Sequence, residues 1–154
     1  MEPRIIKKGA LLIAGITGSG DETGKIWEVF MKIEKMQPLK NQVGEVGYEI
    51  RMYPGGEGPG EVHVGVQVND THVPAEYKIV SLPASIYAEF EIYPARGYNS
   101  SNTAMSKWLS DNAGIYKEVL IDGRQFGIEV YDKRFKGNSD PASVVGFLLP
   151  IAKI

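Results

Sequence analysis

The chain has no cysteine among its 154 residues. Disulfides and thiolate metal sites are therefore excluded. Histidine is scarce: His63 and His72 are the only two. That is too few to expect an imidazole metal centre, and no serine–histidine–aspartate arrangement can be argued from them. No apolar run approaches the ~20 residues of a membrane-spanning helix. The basic N-terminus, Met1 to Gly9, leads into Ala10 to Ile16, which is too short and glycine-broken for a signal-peptide core. An excess of either charge is missing too. Seventeen Lys and Arg face nineteen Asp and Glu, for a formal net charge of −2. Nothing electrostatic therefore favours nucleic acid. These absences predict a cytoplasmic protein without a membrane anchor, a metal or a cofactor. The length suits one domain, 1–154, or two small halves sharing a core that needs no disulfides.

A phosphate-binding loop is also missing. Gly15 to Lys25 has the glycines, but Gly20 to Gly24 is one residue short and Ile26 stands where Ser or Thr is required. The sequons Asn69-Asp70-Thr71 and Asn99-Ser100-Ser101 carry no weight without secretion.

What is present is periodicity. Ile5 to Ile16 is apolar and β-branched and predicts a strand. After Thr17-Gly18-Ser19-Gly20, Asp21 is a candidate helix cap. Ile26, Val29, Phe30 and Ile33 then recur at helical spacing, widened by Trp27 and Met31, and Pro38 ends the helix. Val46 to Tyr53 predicts a second strand and Pro54 to Gly60 a flexible turn. Val62, Val64, Val66 and Val68 alternate with polar residues, so His63 is expected to face solvent. The order then repeats. Tyr77 to Leu82 and Ser85 to Tyr93 are extended on either side of Pro83. Ser101 or Asn102 could cap a second helix carrying Met105, Trp108 and Leu109, and Gly114 stops it. Phe126 to Tyr131 and Val144 to Ile151 are the closing strands.

The predicted class is α+β: tandem strand-helix-strand-strand repeats, about 1–76 and 77–154, forming an antiparallel sheet with two helices on one face. Glu49 and Glu129 align between the halves, each between apolar neighbours. Phe126, Ile128 and Val130 are expected to pack against the helices. Glu129, Tyr131, Glu49, Arg51 and Tyr53 would then project towards a concave cleft on the opposite face, at the pseudo-twofold junction.

Glu129-Val130-Tyr131-Asp132-Lys133-Arg134-Phe135, followed by the closing Val145 to Ile151, resembles the GyrI-like small-molecule-binding family. That family includes the effector-binding domains of multidrug-responsive transcription activators. Ser85 to Phe90 is similar to its central strand. The resemblance implies the tandem fold, a pocket at the junction of the halves, and a pocket-facing carboxylate at Glu129 that complements a cationic effector. The chain departs from the family in one turn, where Ser110 to Tyr116 replaces Pro-Glu-Ser-Gly-Tyr. With no room for an added helix-turn-helix, direct DNA binding is not expected.

The candidate ligand-binding residues are Glu129, Tyr131, Tyr53, Tyr48, Trp27, Trp108, Tyr93 and Tyr116. Aromatic faces attract cations, and a carboxylate supplies the opposing charge. Tyr131 either lines the pocket or covers the sheet edge. Alternation puts Tyr53 on the Glu49 side and Tyr48 on the other, although a bulge could reverse this. Trp27 is placed equally by cavity and core. Trp108 sits within its helix's apolar stripe, and Tyr93 and Tyr116 flank that helix as rim residues.

The function expected is a stand-alone binder of an amphipathic or cationic organic molecule, a sensor or sequestering module. The alternative is a hydrolase opening cyclopropyl rings of alkylating natural products, with Glu129 activating water and a pocket tyrosine protonating the developing oxyanion. A protein partner, such as the topoisomerase that the family name implies, or a homodimer is a third reading.

Overall fold

The computed structural model describes residues 2–55 and 58–154. Gly56 and Glu57, in the turn predicted over Pro54 to Gly60, lie outside the described residues. Among the described residues nine strands form one antiparallel sheet: β1 (Arg4–Lys8), β2 (Leu11–Ser19), β3 (Gln42–Tyr53), β4 (Glu61–Val68), β5 (Lys78–Leu82), β6 (Ser85–Ile92), β7 (Tyr116–Glu118), β8 (Gln125–Tyr131) and β9 (Val145–Lys153). Their order is β1-β6-β9-β8-β3-β4-β2-β5, with the short β7 added beside β9. Helices α1 (Thr23–Met36) and α2 (Asn99–Asp111) lie on one face.

The α+β fold with two helices on one face is as predicted, but its edges are exchanged. The stretch read as one strand, Ile5 to Ile16, breaks at Gly9-Ala10 into β1 and β2. β1 pairs with β6 in the second half, and β5 pairs with β2 in the first. Each half is thus completed by the strand that precedes the other half.

The β5–β6 connection forces a curl. Six inter-strand steps separate β6 from β5 in the sheet order. In a flat sheet that is roughly 29 Å at about 4.8 Å per step. Only Pro83 and Ala84 join the two strands, a reach of at most about 11 Å from Leu82 to Ser85. The sheet therefore bends its ends towards each other around a dry interior. That interior holds Tyr48, Ile50 and Met52 of β3, Phe126, Ile128 and Val130 of β8, and Leu82 and Tyr87 from the meeting ends.

The curl overturns two expectations. The apolar row Phe126, Ile128, Val130 faces away from the helices, not towards them, because the curled sheet needs a core of its own. His63 is wholly buried instead of solvated, for the same reason. Its Nε2 lies 2.9 Å from the Ile13 carbonyl and its Nδ1 2.7 Å from Thr17 Oγ1, so both ring nitrogens are partnered across β2. Beside this clasp, Gly15 and Gly65 are register partners, and a Cβ on Gly65 would fall 2.1 Å from the Ala14 carbonyl oxygen. Only glycines allow the two strands so close.

Two further cores lie under the helices. Ile26 and Phe30 of α1 cover Val62, Val64, Val66 and Val68. Met105 and Trp108 of α2 cover Ala88, Phe90, Ile92 and Leu149. Both helices start without side-chain caps. Asp21 instead accepts a bond from the Ser19 hydroxyl, and α2 begins at Asn99, ahead of both predicted caps.

Candidate functional site

Between the two helices the sheet is left uncovered along β3 and β8, and a cleft of ≈ 950 Å³ opens there. Such a volume suits a drug-sized organic molecule. The cleft lies at the junction of the halves, as predicted, but on the helix side of the sheet. The face that sequence reasoning assigned to it is the dry interior.

The floor follows from strand register. β3 and β8 pair antiparallel with Glu49 opposite Glu129, Arg51 opposite Gly127 and Gly47 opposite Tyr131. Alternation sends these residues into the cleft and Tyr48, Ile50, Ile128 and Val130 into the interior. Each glutamate follows a glycine by two residues, and each glycine faces a long side chain across the ladder. A Cβ on Gly127 would lie 2.8 Å from the Phe147 ring, so this glycine holds the floor open.

Two carboxylates are therefore placed side by side in a dry site, with Glu49 4% and Glu129 7% exposed. Opposed like charges are unfavourable in a strand pair, and three donors offset this. Arg51 Nη2 donates to Glu49 Oε2 at 3.0 Å and its Nε to Glu129 Oε2 at 3.4 Å. Trp27 Nε1 donates to Glu49 Oε1 at 2.8 Å. The Tyr131 hydroxyl donates to Glu129 Oε1 at 3.1 Å. Arg51 is held in turn by Thr23 Oγ1 at 3.1 Å and the Gly20 carbonyl at 3.4 Å, at the entry to α1.

Burial pushes the Glu129 carboxyl up to about 8, and the hydrogen-bonded Glu49 beside it adds to the rise. Burial also raises the Tyr131 and Tyr98 phenols, and the Glu129 charge raises both further. For Arg51 burial works against the charge, but Glu49 and Glu129 outweigh it and the guanidinium is held above its usual range.

The walls are aromatic and soft. Trp27 meets Tyr131 edge-on, with ring centroids 5.7 Å apart, and Tyr131 meets Phe135 at 4.9 Å. Phe147 stands on β9, and Met31 and Met105 face in from the two helices. Tyr53 and Tyr98, both more than a third exposed, form the rim.

Glu129, Tyr131, Tyr53 and Trp27 therefore come together, and the other four candidates stand elsewhere. Tyr48 is buried in the interior, because no bulge interrupts the register between Gly47 and Tyr53. Trp108 is buried under α2 edge-on to Phe90, and Tyr116 stacks on Trp108 at 5.8 Å. Tyr93 carries the Arg96 guanidinium on its ring face at 4.4 Å. Sequence reasoning missed Tyr98, Phe147 and the methionines as site residues. Tyr98 lies between a 3-10 turn and α2, where no period reports orientation. The rest of the motif is structural. Asp132 accepts bonds from the Arg134 backbone and guanidinium and clamps the turn that places Phe135.

Among the described residues no cluster of His, Asp and Glu forms a metal site, and no helix is long and apolar enough to cross a membrane.

No family model matches the chain. No curated protein matches it either. Solved structures do match in fold. SAV2435 bound to tetraphenylphosphonium is 14% identical with a TM-score of 0.65, over 99% of this chain and 94% of that one. EcmrR, in a complex with DNA, is 12% identical with a TM-score of 0.73. The match covers 99% of this chain but 58% of EcmrR, so this chain spans less than two thirds of that protein. A hydrolase from Listeria innocua is 11% identical with a TM-score of 0.56, over 98% of this chain and 92% of that one. At these identities the likeness is one of fold. The chain shares the fold of these solved structures, in line with the GyrI-like resemblance that its C-terminal motif carries.

Proposed function

We propose that this domain binds an amphipathic organic cation between α1 and α2, as a sensor or sequestering module related to the effector domains of transcription regulators. One observation carries the reading: the paired carboxylates Glu49 and Glu129 form the floor of an aromatic-walled cleft. A delocalised cation gains from ring faces, from apolar burial and from charge on the floor. All four carboxylate oxygens already accept a bond from Arg51, Trp27 or Tyr131. A cation without N–H donors displaces none of them. The fold shared with SAV2435, bound to tetraphenylphosphonium, supports this choice of probe.

Calorimetric titration with tetraphenylphosphonium at pH 8.5 tests the proposal. Wild type is expected to bind, and Glu129→Gln to bind at least tenfold more weakly while staying folded. Equal affinity removes Glu129 from the site.

A second reading, ring-opening hydrolysis of a cyclopropyl electrophile, is favoured by the Tyr131 hydroxyl on Glu129 Oε1. That contact pairs a base with a proton donor. Mass spectrometry separates the two readings: many equivalents of hydrated product per protein require an enzyme.

A further inference from the structure

The floor of the cleft contains its own cation. Arg51 is the one basic residue among the described residues that line the cleft. Its guanidinium reaches both carboxylates, and Thr23 and the Gly20 carbonyl fix it from the far side. By strand register it lies diagonally across the pair from Tyr131, each two residues beyond its own glutamate. One half of the pseudo-symmetric floor therefore carries a phenol where the other carries a permanent charge.

Counting formal charge gives the consequence. Two carboxylates and one guanidinium leave a single negative charge in a site where both acids are more than nine-tenths buried. A buried charge is tolerated only when compensated. We infer that Arg51 sets the charge capacity of the cleft at one, so that a proton on the Glu49–Glu129 pair and a ligand monocation compete for the same place. The inference rests on the cation reading above and deepens it. It makes Arg51 a specificity-determining residue: monocations are accepted, and a dication leaves one charge uncompensated.

The surroundings hold this count. From β3, Glu49, Arg51 and Tyr53 face the cleft, and from β8, Glu129 and Tyr131. Tyr98 adds a phenol from the segment before α2. The cleft-facing residues of α1 and α2, among them Trp27 and Met105, carry no charge. Glu118 of β7 is the remaining acid in the lining, partly buried, with Oε1 bonded by Gln125 and Oε2 buried without a partner. Gln125 is four residues along β8 from Glu129, roughly 13 Å, so Glu118 stands at the far end of the floor from the pair. The raised Glu129 carboxyl agrees with a proton resident on the pair at neutral pH.

The experiment is calorimetric titration of the whole chain with tetraphenylphosphonium at pH 6.5, in two buffers of different ionisation enthalpy, repeated at pH 9.5. Wild type is expected to release close to one proton per cation at pH 6.5 and almost none at pH 9.5. Affinity should rise about tenfold per pH unit below about pH 8 and then level. Arg51→Gln, whose uncharged floor holds a second proton in place of the guanidinium, should release close to one proton per monocation and close to two per dication at pH 6.5. It should also take the aromatic dication methyl viologen at least tenfold more tightly than wild type does. Wild-type binding without proton release overturns the inference and leaves the cation site standing. A folded Arg51→Gln that still rejects the dication overturns the role of Arg51. If that variant does not fold, the wild-type proton count decides alone. Absence of binding at either pH overturns both this inference and the cation reading.

Discussion

Replacing Glu129 by glutamine should make the protein more stable at neutral pH, although it replaces a carboxyl that accepts from the Arg51 guanidinium.

 The sign follows from linkage. In the fold the Glu129 carboxyl sits at about 8, against an ordinary 4.5. The folded state therefore binds more protons than the unfolded chain between those two values, and stability falls as pH rises through that window. Each pH step within it costs about 1.4 kcal/mol. From pH 4.5 to 7 the folded state thus loses about 3 kcal/mol, an upper value because Arg51 and Glu49 share the charge. Glutamine keeps the shape, still accepts from Tyr131 and has no proton to lose. Urea denaturation of both proteins from pH 5 to pH 8.5 is the assay. Their stabilities should be similar near pH 5 and diverge by roughly 2–3 kcal/mol in favour of the variant by pH 7. Parallel curves across that range would refute the reasoning, since Glu129 would then titrate alike in both states.

Two other outcomes follow from the curled core. His63 is held down to about 4 from 6.5, mainly by burial. The unfolded chain binds the extra proton here, so the contribution of His63 is complete above about pH 6.5 and is lost as pH falls towards 4. His63→Gln should flatten this acid limb by up to about 3 kcal/mol in the same denaturation series, and an unchanged limb would contradict it. Gly65→Ala should cost about 3 kcal/mol or more, because its Cβ would meet the Ala14 carbonyl oxygen at 2.1 Å, and backbone cannot yield as a side chain can. A melting temperature within a degree or two of wild type would show that the β2–β4 pair can separate.

Much of this was legible in the residues. The valine row of β4 and the Ile26–Phe30 spacing of α1 report their elements directly, because burial on one face imposes period two or period 3.6. Glu129 and Tyr131 share a side for the same reason. Alternation separates the faces of a strand, but it does not say which face receives a helix. That choice was made by Pro83-Ala84, which curls the sheet, and the curl buried Tyr48, His63, Ile128 and Val130 on the side opposite the helices. The exchange of β1 and β5 between halves leaves no local signature, since each pairs only at long range. β7, three residues long, is too short to show a period. Trp108 was correctly placed in its helix's apolar stripe, yet that stripe covers β6 and β9 and does not reach the cleft. The Gly-x-Glu-x pattern shared by Gly47 to Arg51 and Gly127 to Tyr131 was the available clue that Arg51 belongs to the floor.

The most direct test is a crystal structure of the protein grown with tetraphenylphosphonium. Density for the cation should lie between α1 and α2, against the Trp27 and Tyr131 rings and above the Glu49–Glu129 pair. A cation bound outside the cleft, or a cleft left vacant at saturating ligand, would contradict the account.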